Sequence, residues 1–402
     1  MLSHLLCIEP TCIYALSYHP FYDCGLASTR QSGEKYIHKY YLFLPPINRV
    51  VELIFRPVWF DSLGAKSSCT LVKTPDLSLL IDPGIAVMQP SFPASTTEKL
   101  AWLDEGMMEI KKACGEADVI VISHYHYDHY LPHDLEILRG KLLLVKNPNE
   151  YINDSQRERA ERFFGGLCER FGGLSLADVL GERTVREYRN PMEGLPVARE
   201  KDFGTYNSRR SELLAKGERW FLKRVKRWNQ YLRIPEIKFD QLDVKFPEGR
   251  TFRFGETLLT FSNPLFHGIE FSRVGWVFST MVEYRGEKLL HSSDLDGPII
   301  EDYADAILEA DPDILILDGP ATYMLGYMLN RTNLNRAIDN ARRIVEGIDA
   351  RVIIYDHHLT REPRFREHTK PVWEASRRCG RRLTTAAEFI GREPIVESLV
   401  KK

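Results

Sequence analysis

The stretch VIVISHYHYDHYLPH, residues 119–133, constrains this chain more than any other part of it. A run of β-branched residues predicts a buried strand, and such a strand usually leaves the core through small, turn-forming residues. This one ends instead in His124, His126, Asp128 and His129. Because alternate side chains of an extended segment point the same way, His124 and His126 can reach one cation. The turn that follows can direct Asp128 and His129 to a second cation nearby, so the sequence predicts metal ligands gathered at a strand end.

Further ligands are needed to complete two metal shells, and later apolar runs supply them. His267 follows TLLTFSNPLF, Asp294 follows KLLHSS, and His357 with His358 follows VIIYD. Sites in sheet proteins lie where strands give way to loops, so we expect these side chains to converge on the first four. His357 is favoured over His358 because it lies nearer the strand end. His291, inside a strand, is expected to be a core residue.

Strands and helices alternate on both sides of a middle rich in hairpins. Predicted strands start with VELIF at Val51, and Gly255-Glu256 predicts a tight hairpin turn. Helical spacing predicts helices over 98–114, 301–310 and 333–347, and another near Pro371. Two mixed sheets faced by helices satisfy this order.

Two segments differ from this pattern. Residues 165–245 are long, charged and helix-leaning, which indicates an insertion in a domain of residues 51–400. Residues 1–50 are rich in Tyr, Pro and Cys and show no periodicity. We expect residues 1–50 to be poorly ordered or to precede the true start of translation.

Composition limits the class of partner. Lys and Arg number 54 against 56 for Asp and Glu, a net charge of −2, which gives no general field for gripping nucleic acid. A basic stretch from Lys223 to Arg233, interleaved with Trp220 and Trp228, could contact phosphates, but a solvent-facing helix is favoured. The seven cysteines include no CxxC pair, and no apolar run is long enough to span a bilayer. We therefore expect a cytoplasmic protein without a membrane partner.

HYHYDH matches the HxHxDH signature of the metallo-β-lactamase superfamily, and the later His, Asp and His follow in that superfamily's order. The strings SLGAKS, IDPG, SHYHYDHY, FHG, SSDLDGP, LDGPATYMLGY and DHHLTRE resemble more closely a largely archaeal family of metallo-β-lactamase-fold proteins. The resemblance covers roughly residues 52–165 and 245–395. It implies a four-layer αββα sandwich, here with a helical insertion.

The same resemblance implies the roles of the candidate ligands. Asp294 would bridge two metal ions, and Asp82 would support the site from behind the ligands. The first ion would be held by His124, His126 and His267, and the second by Asp128, His129 and His357. Imidazole and carboxylate ligands suit zinc first, with iron or manganese as alternatives. Asp318 and Asp356 are further candidates for hydrogen bonds to a ligand imidazole.

The function that follows is a binuclear metal-dependent hydrolase in which a metal-bridging hydroxide is the nucleophile. Asp128 would orient that hydroxide and take up its proton, which makes it the candidate catalytic residue. The substrate would be a small molecule or a phosphoester. Three alternatives stay open: a nucleic-acid phosphodiesterase, a lactone or thioester hydrolase, and a non-catalytic metal-binding scaffold. The sequence leaves the oligomeric state open.

Overall fold

Two large sheets form the centre of the fold. The computed structural model describes residues 52–401, so the predictions for residues 1–50 lie outside the described residues. The first seven-stranded sheet contains β1 (Ile54–Phe60), β2 (Ser68–Lys73), β3 (Ser78–Ile81), β4 (Val119–Ile122), β5 (Lys141–Val145), β6 (Ile237–Phe239) and β7 (Leu242–Lys245). The short ribbon contains β10 (Leu265–Phe266) and β11 (Trp276–Val277). The second seven-stranded sheet contains β8 (Thr251–Phe254), β9 (Thr257–Phe261), β12 (Thr280–Tyr284), β13 (Glu287–His291), β14 (Ile314–Leu317), β15 (Val352–Tyr355) and β16 (Leu383–Thr384).

Each of the two sheets combines four neighbouring parallel strands with antiparallel strands. The first has the order β1-β2-β3-β4-β5-β7-β6, and the second the order β16-β15-β14-β13-β12-β9-β8. In the first sheet β3, β4, β5 and β7 run parallel, and in the second β13 to β16 do. Carboxyl ends of parallel strands lie at one edge of a sheet, where open sheets hold their ligands. The loops after β3, β4, β13, β14 and β15 therefore meet at one place.

The central strands are buried on both faces, which explains why their sequences are continuous apolar runs. Val119 and Val121 of β4 belong to a cluster shared by the two sheets, whereas Ile120 and Ile122 belong to the cluster that includes the helices. Side chains alternate across a strand, so both faces of β4 are buried. Strands β14 and β15 alternate in the same way. The protein is thus a four-layer αββα sandwich, as predicted.

Helices cover the outer faces of the sheets. Helix α1 starts at a capping box in which Ser95 and Glu98 satisfy each other's backbone N–H groups. No helix among residues 52–401 is both long and apolar enough to cross a membrane. The helices are α1 (Thr96–Glu116), α2 (Asp154–Leu167), α3 (Leu176–Val179), α4 (Pro196–Glu200), α5 (Asn207–Trp228), α6 (Glu301–Ala310), α7 (Arg331–Gly347), α8 (Phe365–His368), α9 (Lys370–Cys379), α10 (Ala386–Phe389) and α11 (Ile395–Val400).

Most predicted elements exist, and the differences have local causes. The hairpin at Gly255-Glu256 and the helix over 301–310 are confirmed. The predicted strand VELIF was misplaced: β1 runs from Ile54 to Phe60, and Arg56 and Pro57 interrupt the apolar pattern that would have revealed it. The apolar stretch WVFSTMVEY, residues 276–284, contains two strands: β11 pairs with β10, while β12 pairs with β9 and β13.

A buried network of charges holds the loop that follows β10. The Nη2 atom of Arg336 on α7 lies 2.7 Å from Glu270 Oε1 and 2.7 Å from Glu301 Oε2, and Arg210 of α5 reaches Glu270 at 2.9 Å. Burial acts to raise the pKa of Glu270 and of Glu301, but their hydrogen bonds to Arg336 lower both. The loop carrying His267 is therefore fixed to α5 and α7.

Candidate metal centre

The loops after β3 and β4 pack on each other unusually closely. A Cβ atom on Gly84 would lie 2.2 Å from the backbone nitrogens of both His129 and Tyr130. Only glycine allows this approach, which explains the IDPG sequence after β3. The close packing places Asp82 against the HxHxDH loop.

One group of candidate ligands contains His124, His126, His267 and Asp294. His124 Nε2 and His126 Nδ1 lie 3.0 Å apart. Asp294 Oδ2 lies 3.4 Å from His124 Nε2 and 3.2 Å from His267 Nε2. The donor atoms of these four residues all lie within 4.8 Å of one another, a spacing that suits one cation.

A second group lies on the other side of Asp294 and contains Asp128, His129 and His357. His357 Nε2 lies 3.8 Å from Asp128 Oδ2 and 3.5 Å from Asp294 Oδ1. His129 Nε2 lies 3.1 Å from Asp294 Oδ2. The structure thus brings all seven sequence-predicted ligands together, with the Asp294 carboxylate between the two groups.

Buried carboxylates orient the ligand imidazoles from behind. Asp82 Oδ2 lies 2.9 Å from His129 Nδ1 and accepts a 2.7 Å bond from the Ser123 hydroxyl, which lies 3.0 Å from His124 Nδ1. Asp61 Oδ1 lies 3.0 Å from His357 Nδ1. In both cases the carboxylate contacts Nδ1 of the imidazole, and the Nε2 atom is directed at the cluster. Carboxylates that hydrogen-bond to metal-ligating histidines orient them in the same way.

Asp61 and Arg361 are functional residues that the sequence reasoning missed. The buried Arg361 donates from Nε to Asp61 Oδ2 at 2.5 Å, from Nη2 to Asp128 Oδ2 at 3.2 Å and from Nη1 to the Tyr323 hydroxyl at 3.2 Å. One guanidinium therefore links a candidate ligand to the carboxylate behind His357. The available signals were a polar Asp directly after the apolar end of β1 and the Arg in DHHLTRE.

His358 takes a different direction from His357. Its backbone has φ +65°, and its Nδ1 lies 3.2 Å from Asp296 Oδ1 and 3.7 Å from Asp318 Oδ2. Its Nε2 is 3.8 Å from Asp294 Oδ2, and its donor atoms lie close enough to those of Asp294 and His357 to form a further possible metal-binding group. Of the two carboxylates predicted to contact an imidazole, Asp318 lies beside His358. Asp356 instead accepts from the backbone N–H groups of Ser62 and Ala386, so that prediction was wrong for Asp356.

The ligand imidazoles differ in their protonation. Burial lowers the pKa of His126 to about 3, which keeps its imidazole neutral. Burial acts to lower the pKa of His129 too, but the Asp294 and Asp82 carboxylates raise it to about 10. His129 Nε2 and Asp294 Oδ1 are both buried and neither makes a hydrogen bond of good geometry, although each lies beside an ionisable partner, at 3.1 Å from Asp294 Oδ2 and 3.5 Å from His357 Nε2 respectively. Buried polar atoms are rarely left unsatisfied, so the donor set fits divalent ions. Binding at His129 would displace its proton.

A cavity of about 240 Å³ opens beside the cluster. His126, Asp128, His267 and Asp294 form part of its wall. The two groups are therefore reachable by a small molecule.

The basic stretch of α5 is partly used in packing. Trp228 is fully buried and donates from Nε1 to Ile152 O at 2.9 Å. Arg224 and Arg227 both pair with Asp154. Only part of this stretch is thus left to face solvent.

The αββα sandwich with its His and Asp groups defines a protein of the metallo-β-lactamase superfamily, and the superfamily's sequence model matches residues 64–153. The chain belongs to the UPF0282 family. A UPF0282 protein of Methanopyrus kandleri is 32% identical over 351 residues, which span 84% of this chain and 94% of that protein. Another, from Korarchaeum cryptofilum, is 30% identical over 337 residues, 83% of this chain and 88% of its own length.

Among solved structures, the metallo-β-lactamase fold protein YhfI from Bacillus subtilis is similar with a TM-score of 0.36 and 14% identity, over 79% of this chain and 87% of that one. The short form of human tRNase Z is similar with a TM-score of 0.33 and 13% identity, over 76% of this chain and 92% of that one.

Proposed function

We propose that this protein is a binuclear metal-dependent hydrolase. The observation that carries the proposal is the pair of His and Asp groups on either side of one shared carboxylate, Asp294. Two divalent ions in these groups would lower the pKa of a shared water towards 7 and polarise the bond under attack. The mixed imidazole and carboxylate set suits zinc first, with iron or manganese as alternatives.

The assignment of ligands follows the geometry of the two groups. Asp294 would contribute to both ions. The first ion is assigned to His124, His126 and His267, and the second to Asp128, His129 and His357. His357 is preferred to His358 because it shares a group with Asp128 and His129, whereas His358 Nδ1 is turned towards Asp296.

Asp128 is assigned the proton-handling role. It lines the cavity, and Arg361 donates to its Oδ2 at 3.2 Å. Burial acts to raise the pKa of Asp128, but the nearby His129 and Arg361 charges hold it well below its usual range. The ionised carboxylate accepts a hydrogen bond from the attacking water, which orients that water, and receives its proton as attack proceeds.

The alternatives receive less support. A nucleic-acid phosphodiesterase would use the basic face of α5, but two of its arginines are engaged with Asp154. A non-catalytic scaffold would not need a cavity beside a full ligand set.

The test is metal analysis combined with hydrolysis assays. We expect His267→Ala to lose the first ion and Asp128→Ala the second, and both to lose hydrolysis of a panel of ester and phosphodiester substrates. Asp134→Ala is the matched control, because Asp134 follows the same loop but pairs with Lys111 at 2.8 Å. Wild-type metal content in both site variants would refute the proposal.

A further inference from the structure

The cavity beside the metal centre has two chemically different walls. One wall is the His and Asp cluster, with Tyr323 and Arg361 beside it. The other wall is largely apolar and comes from the loop after His267, the turn before α6 and the segment after β14. Its main residues are Ile269, Val274, Ile299, Met324, Met328 and Leu329. A molecule in the cavity therefore meets both polar groups and hydrocarbon.

The apolar wall continues to the protein surface. Ile269 is 36% exposed and Met328 59% exposed, although both line the cavity. Exposed apolar residues that border a cavity are typical of ligand-binding grooves. The volume of about 240 Å³ is below the range of roughly 300–1,000 Å³ found for drug-sized ligands. The group bound inside is therefore small.

The described side chains of the cavity offer no unpaired cation to an anionic substrate. Among the described lining residues the one Lys or Arg is Arg361, and its guanidinium is already paired with Asp61 and Asp128. Three carboxylates line the same space, those of Asp128, Asp294 and Asp296. Two divalent ions would bring four positive charges against these three carboxylates, so a bound anion would have to be held by the ions alone, without a free Lys or Arg among the described lining residues.

The cavity also lacks the means to hold a nucleic-acid base. Proteins that bind single strands stack bases on aromatic rings within a positively charged groove. Apart from histidines, the described lining offers one aromatic ring, Tyr323, whose hydroxyl is held by Arg361 at 3.2 Å. Thioether and aliphatic side chains make up the rest of that wall, and methionines adapt to alkyl chains of varied shape.

We infer that the substrate is a small carboxylic ester, including a lactone or thioester, whose acyl chain lies against the apolar wall around Met328. This inference rests on the proposed hydrolase function. The water oxygen forms a bond to the carbonyl carbon, and the bond from that carbon to the leaving oxygen or sulfur breaks. The leaving group takes one proton, the other goes to solvent, and the products are a carboxylate and an alcohol or thiol.

The experiment uses the full-length, metal-loaded protein and p-nitrophenyl esters from acetate to octanoate, with bis(p-nitrophenyl) phosphate as the phosphodiester. We expect kcat/KM to rise by about fourfold for each added methylene until the cavity is filled. Met328→Asp should abolish that rise. Met108→Asp is the matched control, because Met108 is 64% exposed but lies on α1 away from the cavity, and it should keep the rise.

A binding measurement separates this inference from the proposed function. Hexanoate should bind the metal-loaded protein more tightly than butyrate in calorimetry, and Met328→Asp should remove the difference. Preference for the phosphodiester, or ester hydrolysis that ignores chain length, overturns the substrate class but leaves the hydrolase. Chain-length-dependent binding without any turnover refutes the hydrolase but keeps the acyl site. Absence of both turnover and binding refutes the two together.

Discussion

Asp82→Asn tests the metal assignment through a residue that would not itself contact an ion. The Asp82 carboxylate accepts from the Ser123 N–H at 2.7 Å and the Ser123 hydroxyl at 2.7 Å, and lies 2.9 Å from His129 Nδ1. Asparagine keeps one oxygen, which the Ser123 N–H requires, so its NH₂ group would face His129 Nδ1. Two N–H groups cannot face each other, so His129 would carry its proton on Nε2, the nitrogen assigned to the second ion.

The expected loss of metal affinity can be estimated from other metal sites in which a residue hydrogen-bonded to a ligand was replaced. Replacing such a partner typically weakens metal affinity by about 10–100-fold, or about 1.4–2.8 kcal/mol. The assay is a competitive titration of metal-free protein against a chromophoric chelator, with total metal measured by elemental analysis. We expect the second ion to be weakened by this amount and the first to be much less affected, because His124 contacts Asp82 only through Ser123.

Asp76→Asn is the matched control. Asp76 Oδ2 also accepts several bonds, from the N–H of Glu256 at 2.9 Å and from the N–H of Thr257 at 3.0 Å, but it lies at a hairpin outside the cluster. Urea denaturation of the metal-free variants separates folding effects from metal effects. A folded Asp82→Asn protein that binds both ions with wild-type affinity would refute the tautomer reasoning.

Three further predictions follow from contacts described above. Gly84→Ala should lower the free energy of unfolding by about 1–3 kcal/mol or more in urea denaturation, because its Cβ would clash with backbone, and Gly115→Ala, which meets nothing within 4 Å, should not. His357→Gln should lose one ion per chain in metal analysis while His358→Gln keeps both; equal losses would contradict the assignment. The two glutamates paired with Arg336 have lowered pKa values, so their stabilisation is complete above about pH 4.5 and is lost as the pH falls through their folded-state values. The difference in free energy of unfolding between the metal-free wild type and metal-free Arg336→Met, measured by urea denaturation, should therefore become smaller below pH 4.5. A difference that does not change with pH would contradict this.

The sequence was sufficient to predict two mixed sheets faced by helices, because the strands carry strong local signals; the four-layer sandwich itself came from the family resemblance. Runs such as VIVI and ILIL are buried on both faces and belong to parallel strands, whose ends share an edge. That rule was enough to expect His124, Asp294 and His357 near one another. It fails for β1, where Arg56 and Pro57 break the run, since pairing with β2 and not local pattern makes that segment a strand.

The support behind the ligands could not be read from the sequence. Asp61 and Arg361 are 300 residues apart and meet only when the two sheets pack together. The different directions of His357 and His358 depend on a backbone φ of +65° at His358, which no residue pattern announces. Local signals therefore identified groups at strand ends, but tertiary packing decided which atoms face which.

The division of the cluster between the two sheets has a consequence for biosynthesis. The four residues of the HxHxDH loop leave the ribosome early, whereas His267, Asp294 and His357 follow much later, the last near the end of the 402-residue chain. A nascent chain therefore holds at most a partial set of donors for most of its synthesis. If the proposed ligands hold the second ion, its tight capture has to await the arrival of β15, and loading with metal would then report that translation has passed this strand and that the second sheet has docked on the first.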